Sequence, residues 1–147
     1  MTANPLSALT VPAALPHLLP EDPNARLLLF AFRRMGAHGL DDAHAAQALI
    51  EGFGTDFRRP LTLLRAMMAD LAGGATCAIA IAPCCCRRMT HAEQAVLMIV
   101  ARAETSPATA RLLLSDLIGV RRPDGVMASI TVVAQAFADA GRPVGME

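Results

Sequence analysis

The 147-residue chain contains no lysine, tyrosine or tryptophan, so all 13 of its strongly basic side chains are arginines. Without lysine it has no residue for Schiff-base or pyridoxal chemistry and none for a phosphate-binding loop of the lysine type. Lysine and tyrosine are also absent as general acids. These absences exclude several large classes of enzyme.

Charge excess and long apolar runs are also missing. The formal net charge is zero, which removes the attraction that draws basic proteins to nucleic acids or anionic membranes. The longest apolar run, 95–101, is far below the roughly 18 to 20 residues of a membrane span. No lysine or arginine precedes Pro20, so the start lacks the pattern of a secretory or transit peptide. We therefore expect a cytoplasmic protein whose four cysteines do not form structural disulfides.

What is present favours helices. Apolar residues make up 54% of the chain but aromatic residues only 3%, with alanine supplying much of the apolar share. A core of leucine, methionine, valine and isoleucine packed against alanine is typical of helical proteins. The length fits one ordinary domain. We predict an all-α fold, a single compact domain of about six helices.

Helix-start and helix-stop residues divide the chain into an arm, a helical domain and a tail. Proline recurs through residues 1–20, which we expect to form an arm without regular structure. Residues 21–141 are predicted to form the helical domain, and residues 142–147 a frayed tail. Residues 75–82 are predicted to be a buried connector, since a lone strand there has no partner. The six helices are expected at about 25–38, 41–53, 61–72, 91–104, 107–118 and 124–140.

The helix at about 91–104 is expected to lie at the centre of the domain. Thr90 and Glu93 match a capping box, in which the hydroxyl and the carboxylate bind each other's backbone amides. The stretch 95–100 is apolar on all sides, which implies that other helices surround it.

Several stretches of the chain resemble an uncharacterised bacterial family, a domain of unknown function from alphaproteobacteria. They are Pro20 to Arg26, Phe32 to Gly39, Phe57 to Pro60, and Cys85-Cys86 followed by Arg88-Met89-Thr90. The resemblance covers most of the chain after the arm and implies a bacterial, cytoplasmic origin. It carries no known activity.

The densest group of reactive side chains is the triplet Cys84, Cys85 and Cys86, followed by Arg87 and Arg88. Thiols near guanidinium charge and a helix start tend to ionise, and the thiolate is the form that attacks electrophiles. The triplet is therefore a candidate redox-sensing site, with Cys85 or Cys86 expected to be the most reactive. The alternative is that these thiols are small apolar side chains packed in the interior.

A metal site is a further interpretation of the same region. Cys77 and His91, together with the triplet, would supply the sulfur and nitrogen ligands that suit zinc. The spacing lacks the paired knuckles of structural zinc sites, and the order of residues does not match the zinc deaminases. A weaker metal alternative is Asp41, His44 and Glu51 on one helix face. No cofactor is predicted, with zinc as the alternative.

Three pairs of arginines lie just before predicted helix starts. Guanidinium groups beside free helix amides can bind a phosphate or a carboxylate, so a small anionic ligand is conceivable at any of them. They can equally be surface residues that pair with nearby carboxylates. The pairs are Arg58 with Arg59, Arg87 with Arg88, and Arg121 with Arg122.

No complete catalytic set is visible, so the chain is expected not to be an enzyme. The favoured interpretation is a protein-interaction or regulatory module that binds a protein partner or its own copy. It depends on wide apolar helix faces and on Met67 and Met68 lying at the surface. The alternatives are a thiol-based metal-binding or redox-sensing protein and a protein that binds a small anion. Membrane and nucleic-acid partners are not expected.

Overall fold

The computed structural model describes residues 15–146, in which six α-helices are joined by short connectors. The predicted all-α fold class is confirmed, and each predicted helix is present with small shifts of its ends. A short 3-10 turn, Gly54–Asp56, follows the second helix. The helices are α1 (Pro23–His38), α2 (Ala43–Phe53), α3 (Arg58–Gly74), α4 (His91–Arg102), α5 (Pro107–Ile118) and α6 (Asp124–Asp139).

Three helices begin with a side chain that accepts a hydrogen bond from the backbone. The carboxylates of Asp22 and Asp42 each accept from the amide three residues later, both at 2.9 Å. Thr90 and Glu93 form the predicted capping box at the start of α4. These contacts satisfy amides that a helix leaves free in its first turn, which explains why the chain becomes helical at these positions.

The helices enclose one hydrophobic core. The most extensive packing is between α3 and α6, α4 and α5, and α1 and α2, and α4 also contacts α1 and α6. Phe53 and Phe137 meet edge to face with ring centroids 4.9 Å apart, which joins α2 to α6. None of the helices between residues 15 and 146 combines the length and the apolar character needed to cross a bilayer.

The end of the predicted arm contains a short strand that the sequence did not indicate. Strand β1 (His17–Leu18) pairs antiparallel with β2 (Arg88–Met89), with His17 opposite Met89 and Leu18 opposite Arg88. Each strand has only two residues, too few for hydrophobic alternation to be visible. The rest of the arm, residues 1–14, lies outside the described residues.

The tail is held against the domain, whereas the sequence predicted fraying. Arg142 donates to the backbone oxygen of Gly52 at 2.6 Å and to the Asn24 side chain at 3.0 Å. Asn24 in turn donates to the carbonyl of Pro143 at 2.8 Å. The contact partners lie about 90 or more residues away along the chain, so no local pattern could have revealed them.

The burial of two segments was also predicted wrongly. Met67 and Met68 were expected at the surface, but they belong to the core with exposed fractions of 0% and 8%. Conversely, the connector 75–82 was expected to be buried but is mostly half-buried or exposed. Only Ala82 is buried there, while Cys77 is exposed. The methionines therefore give no support to an interaction surface.

Candidate functional site

Residues 83–86 form a tight turn, called the cysteine turn below. The amide of Cys86 donates to the carbonyl of Pro83 at 3.0 Å, which closes the turn and places Cys84 and Cys85 at its two central positions. Cys84 and Cys85 are exposed, and Cys86 is half-buried. All three cysteines are free. The predicted triplet therefore lies where small molecules in solution can reach at least two of its thiols.

Arg33 on α1 fixes the backbone of the turn from beneath. Its Nη1 donates to the carbonyl of Cys86 at 2.8 Å, and its Nη2 donates to the carbonyl of Arg88 at 2.7 Å. A guanidinium group has a rigid planar arrangement of donors, so these two bonds set the direction of the chain between the turn and β2.

The same guanidinium is paired with Glu93 on α4. Nε lies 2.7 Å from Oε2 and Nη2 lies 3.0 Å from Oε1, which makes the pair bidentate. The exposed fractions of the two side chains are 2% and 0%. Glu93 also accepts from the amides of Thr90, at 2.9 Å, and Ala82, at 3.1 Å. No buried side-chain N or O atom lacks a hydrogen-bond partner in the part of the chain that the structure describes.

A second arginine on α1 lies beside the exposed side of the turn. Nη1 of Arg34 is 4.0 Å from the sulfur of Cys84. Its Nε and Nη2 donate to the two oxygens of Asp42 at 3.0 and 2.9 Å. The hydrogen bond to Asp42 is the main cause that raises the pKa of Arg34 above its usual value, and Cys84 also contributes. A permanent positive charge therefore stands next to one thiol of the turn.

The structure places an arginine that the sequence did not suggest, Arg34, beside a thiol of the turn. Arg87 and Arg88 follow the triplet directly and were expected to activate Cys85 or Cys86. Arg88 instead donates to the carbonyls of Leu15 and Pro16, both at 2.8 Å, and so holds the segment before β1. Arg87 is exposed. The guanidinium that contacts a sulfur is Arg34, which is 50 residues away along the chain.

The proposed zinc ligands are not brought together. Cys77 lies against the carbonyl of Leu117, with its sulfur 3.4 Å from that oxygen. His91 pairs instead with His17, with 3.3 Å between Nδ1 and Nε2. Between residues 15 and 146, no three His, Cys, Asp or Glu side chains are grouped so that they could hold a metal ion.

The weaker metal alternative at α2 and the residues just before it is likewise not grouped to hold a metal ion in the part of the chain that the structure describes. Asp41 and His44 are exposed, and Glu51 accepts a hydrogen bond from Gln47 at 3.2 Å. The acid that acts at this helix start is Asp42, which caps α2 and binds Arg34.

The arginine pairs have different surroundings. Arg58 lies over the ring of Phe57 at 5.8 Å, and Arg59 pairs with Asp139 at 2.8 Å on the surface. A cavity of about 310 Å³ beside them is also lined by Asp56 and Asp139. These two carboxylates balance the charges of Arg58 and Arg59, so the four charged side chains that line the cavity carry no excess positive charge that would attract an anion. Arg121 and Arg122 are exposed before α6.

Arg33 and Arg34 are the residues that sequence reasoning missed. Both lie inside α1, where arginine usually belongs to a solvated face. The only sequence signal is that Arg33 is four residues after Leu29, on the buried side of the helix. An arginine buried at that position needs a carboxylate that is also buried as its partner.

Comparison with known proteins gives one match. A family model described as "Family of unknown function (DUF6628)" matches residues 10–120. The predicted resemblance to an uncharacterised domain is thereby confirmed. No curated protein and no solved structure matches the chain.

Proposed function

The chain belongs to DUF6628, a family of unknown function, and we propose that it is a thiol-based regulatory protein whose cysteine turn reacts with small oxidants. The observation that carries this proposal is the placement of the turn. Cys84 and Cys85 are exposed, and a guanidinium group lies 4.0 Å from the sulfur of Cys84. Reactive cysteines occur in exposed, electropositive surroundings of this kind.

The buried pair beneath the turn supports the same function. The three thiols are always close because their residues are consecutive in the chain, so which two of them can form a disulfide depends on the shape of the backbone. Arg33 is held by Glu93 and binds the carbonyls of Cys86 and Arg88, so the turn has a defined shape. Burying the Arg33–Glu93 pair costs desolvation energy, and the proposed function gives a reason for that cost because the pair positions the thiols.

The proposed chemistry is the oxidation of two thiols by hydrogen peroxide. The Cys84 sulfur attacks one peroxide oxygen, the O–O bond breaks, and a sulfenic acid and water result. A second thiol of the turn then attacks the Cys84 sulfur, which forms a disulfide and releases a second water. Two thiols lose two protons and two electrons, and the peroxide is reduced to two water molecules.

The hydrogen bonds of Arg88 support a way in which the turn could influence the segment before β1. Arg88 follows Cys86 by two residues and holds the carbonyls of Leu15 and Pro16. A disulfide in the turn would shift the backbone at Cys86 and change how Arg88 holds this segment. We infer that the response is a changed contact with a protein partner or a second copy, in a cytoplasm that keeps the thiols reduced beforehand.

Oxidation of the full-length protein with hydrogen peroxide tests the proposal. We expect the loss of two free thiols per chain and an intramolecular disulfide within residues 84–86, found by mass spectrometry after alkylation. Cys84→Ser should slow this oxidation at least about tenfold. Cys77→Ser is the control, since Cys77 is also exposed but lies away from the turn, and it should leave the rate nearly unchanged. Equal effects of the two substitutions would reject the proposal.

A further inference from the structure

A small cavity with a mainly apolar lining lies against the cysteine turn. Its volume is about 160 Å³, and its lining comes from α1, from the segment that follows β1 and from the turn itself. Two residues of the turn line it, Cys84 and Cys86. The apolar residues that line it are Leu19, Leu29 and Phe30. The cysteines that are assigned the oxidation above therefore border an apolar space.

Phe30 is the part of this lining that remains open to a ligand. Its neighbour Leu29 is buried with an exposed fraction of 3%, whereas Phe30 is 36% exposed. Leu19 is half-buried. Apolar surface that stays in contact with water gains free energy when an apolar group covers it. The ring of Phe30 therefore offers a contact surface to an apolar molecule that enters the cavity.

Two arginines of α1 hold the other parts of the lining in place. Nε of Arg26 donates to the carbonyl of Pro20 at 2.5 Å, which fixes the segment that carries Leu19. Nη1 of Arg33 donates to the carbonyl of Cys86 at 2.8 Å, which fixes the turn. Both segments are thus tied to the same helix. The cavity is therefore formed before a ligand arrives, as is usual for sites that bind small molecules.

The size of the cavity suits a compact apolar group. An apolar cavity of about 150 Å³ holds a molecule of the size of benzene. Hydrogen peroxide has no apolar group and gains nothing from such a lining. An organic hydroperoxide carries an apolar group next to its O–O bond, so the lining can bind the one while the cysteine turn meets the other. Arg26 also lines the cavity, and its positive charge favours the alkoxide that leaves when the O–O bond breaks.

We propose, building on the thiol function above, that the cavity binds the apolar group of an organic hydroperoxide, ROOH, and that this class is the preferred oxidant of the turn. The Cys84 sulfur attacks the outer peroxide oxygen, the O–O bond breaks, and a sulfenic acid and the alcohol ROH result, with the thiol proton on the alcohol oxygen. A second thiol of the turn then forms the disulfide and releases water. Two thiols are oxidised, and the hydroperoxide is reduced to ROH and water.

Rates of oxidation by two peroxides test this preference. The full-length protein is treated with cumene hydroperoxide or with hydrogen peroxide, and glutathione serves as a reference thiol that has no cavity beside it. Mass spectrometry after alkylation follows the disulfide within residues 84–86. We expect the ratio of the cumene hydroperoxide rate to the hydrogen peroxide rate to be at least about tenfold higher for the turn than for glutathione. Equal ratios for the turn and for glutathione would overturn the proposal.

A substitution in the lining supplies a second measurement. Phe30→Ala should lower this ratio about fivefold or more, because it removes apolar lining, and should leave the rate with hydrogen peroxide within about twofold. Ile50→Ala is the matched control, since Ile50 is 38% exposed on α2, away from this cavity. It should change neither rate. A ratio that Phe30→Ala leaves unchanged, or equal slowing with both peroxides, would show that the ring does not bind the oxidant and would overturn the proposal.

Failure of the cavity as a binding site can be told from failure of the thiol function. If hydrogen peroxide forms the disulfide within residues 84–86 but the organic hydroperoxide is not preferred, only the cavity is rejected as a substrate site. If neither peroxide forms that disulfide, the thiol function is rejected, and the preference for organic hydroperoxides with it.

Discussion

The guanidinium of Arg33 and the carboxylate of Glu93 form a bidentate ion pair that is almost completely buried, with exposed fractions of 2% and 0%. The pair joins α1 to the start of α4 and positions the cysteine turn between them. A buried pair of this kind is often no more stabilising than apolar residues of similar size, but loss of one partner leaves a charge without compensation. The fold therefore depends more on the presence of both partners than on the net free energy that the pair contributes.

Arg33→Met is expected to lower the free energy of unfolding by about 3–5 kcal/mol, because Glu93 would remain buried without its partner. Urea unfolding followed by circular dichroism measures this loss. Arg59→Met is the matched control, since Arg59 pairs with Asp139 on the surface and should change the free energy by about 1 kcal/mol or less. A loss for Arg33→Met as small as that of the control would contradict the importance of the buried pair.

The Arg34 guanidinium, mainly by hydrogen bonding, lowers the pKa of Asp42 from its ordinary value of 3.8 to about 2. The stability that this carboxylate contributes is complete above its ordinary pKa and is lost as the pH falls through about 2. Arg34→Gln should raise the pKa of Asp42 toward the ordinary value, measured by carboxyl NMR. Arg87→Gln removes an exposed arginine elsewhere and should leave it low. An Asp42 pKa unaffected by Arg34→Gln would refute the assignment.

Alkylation of the folded protein should separate the cysteines by exposure. We expect Cys77, Cys84 and Cys85 to react rapidly and Cys86 more slowly, because only Cys86 is half-buried. Arg33→Lys removes the planar donor arrangement that holds the Cys86 carbonyl, so the rate at Cys86 should approach that at Cys85. Peptide mapping after a short pulse of iodoacetamide measures each site. Equal rates at all four cysteines in the unsubstituted protein would contradict the structure.

Gly119 ends α5 with φ of +72°, a left-handed conformation that glycine adopts without strain. A Cβ at this position would also meet Oγ1 of Thr76. We expect Gly119→Ala to lower the free energy of unfolding by more than about 1 kcal/mol. Gly73→Ala is the control within α3, where a Cβ meets nothing, and should be neutral or slightly stabilising. Thermal unfolding measures the stability of both variants. A larger loss for Gly73→Ala than for Gly119→Ala would be inconsistent with the structure.

Phe137→Ala should lower the free energy of unfolding by about 3–5 kcal/mol, because it leaves a cavity beside Phe53. Leu112→Ala removes a side chain with 73% exposure and should change it by about 0.5 kcal/mol or less. Denaturant titration compares the two. Similar losses for both variants would show that the core is not centred where the structure places it.

The helices could be predicted because their signals are local. Asp22 and Thr90 each lie within three residues of the amide that they cap, and the glycines that end helices act on their own backbone. Apolar periodicity then supplied the length of each helix. Met67 and Met68 were misplaced because two neighbouring apolar residues on a helix leave open which of them faces the core, and here both do.

The site depends on contacts between distant parts of the chain, and these leave little trace in the sequence. The triplet of cysteines was visible, but its support comes from Arg33 and Arg34, which are 53 and 50 residues away from the cysteines that they contact. Glu93 was correctly assigned to the capping box, which concealed its second role as the partner of Arg33. When a side chain has both a local and a distant partner, a sequence pattern reveals only the local one.

The separation of 60 residues between Arg33 and Glu93 also has a consequence for biosynthesis. While a ribosome is still adding the residues before Glu93, the guanidinium of Arg33 has no carboxylate to meet and must stay hydrated. The inner face of α1 cannot pack completely at that stage. The three thiols leave the ribosome before the Arg33–Glu93 pair, which holds the backbone of their turn, has formed. The cysteine turn therefore takes its final form only after the first turn of α4 has left the exit tunnel.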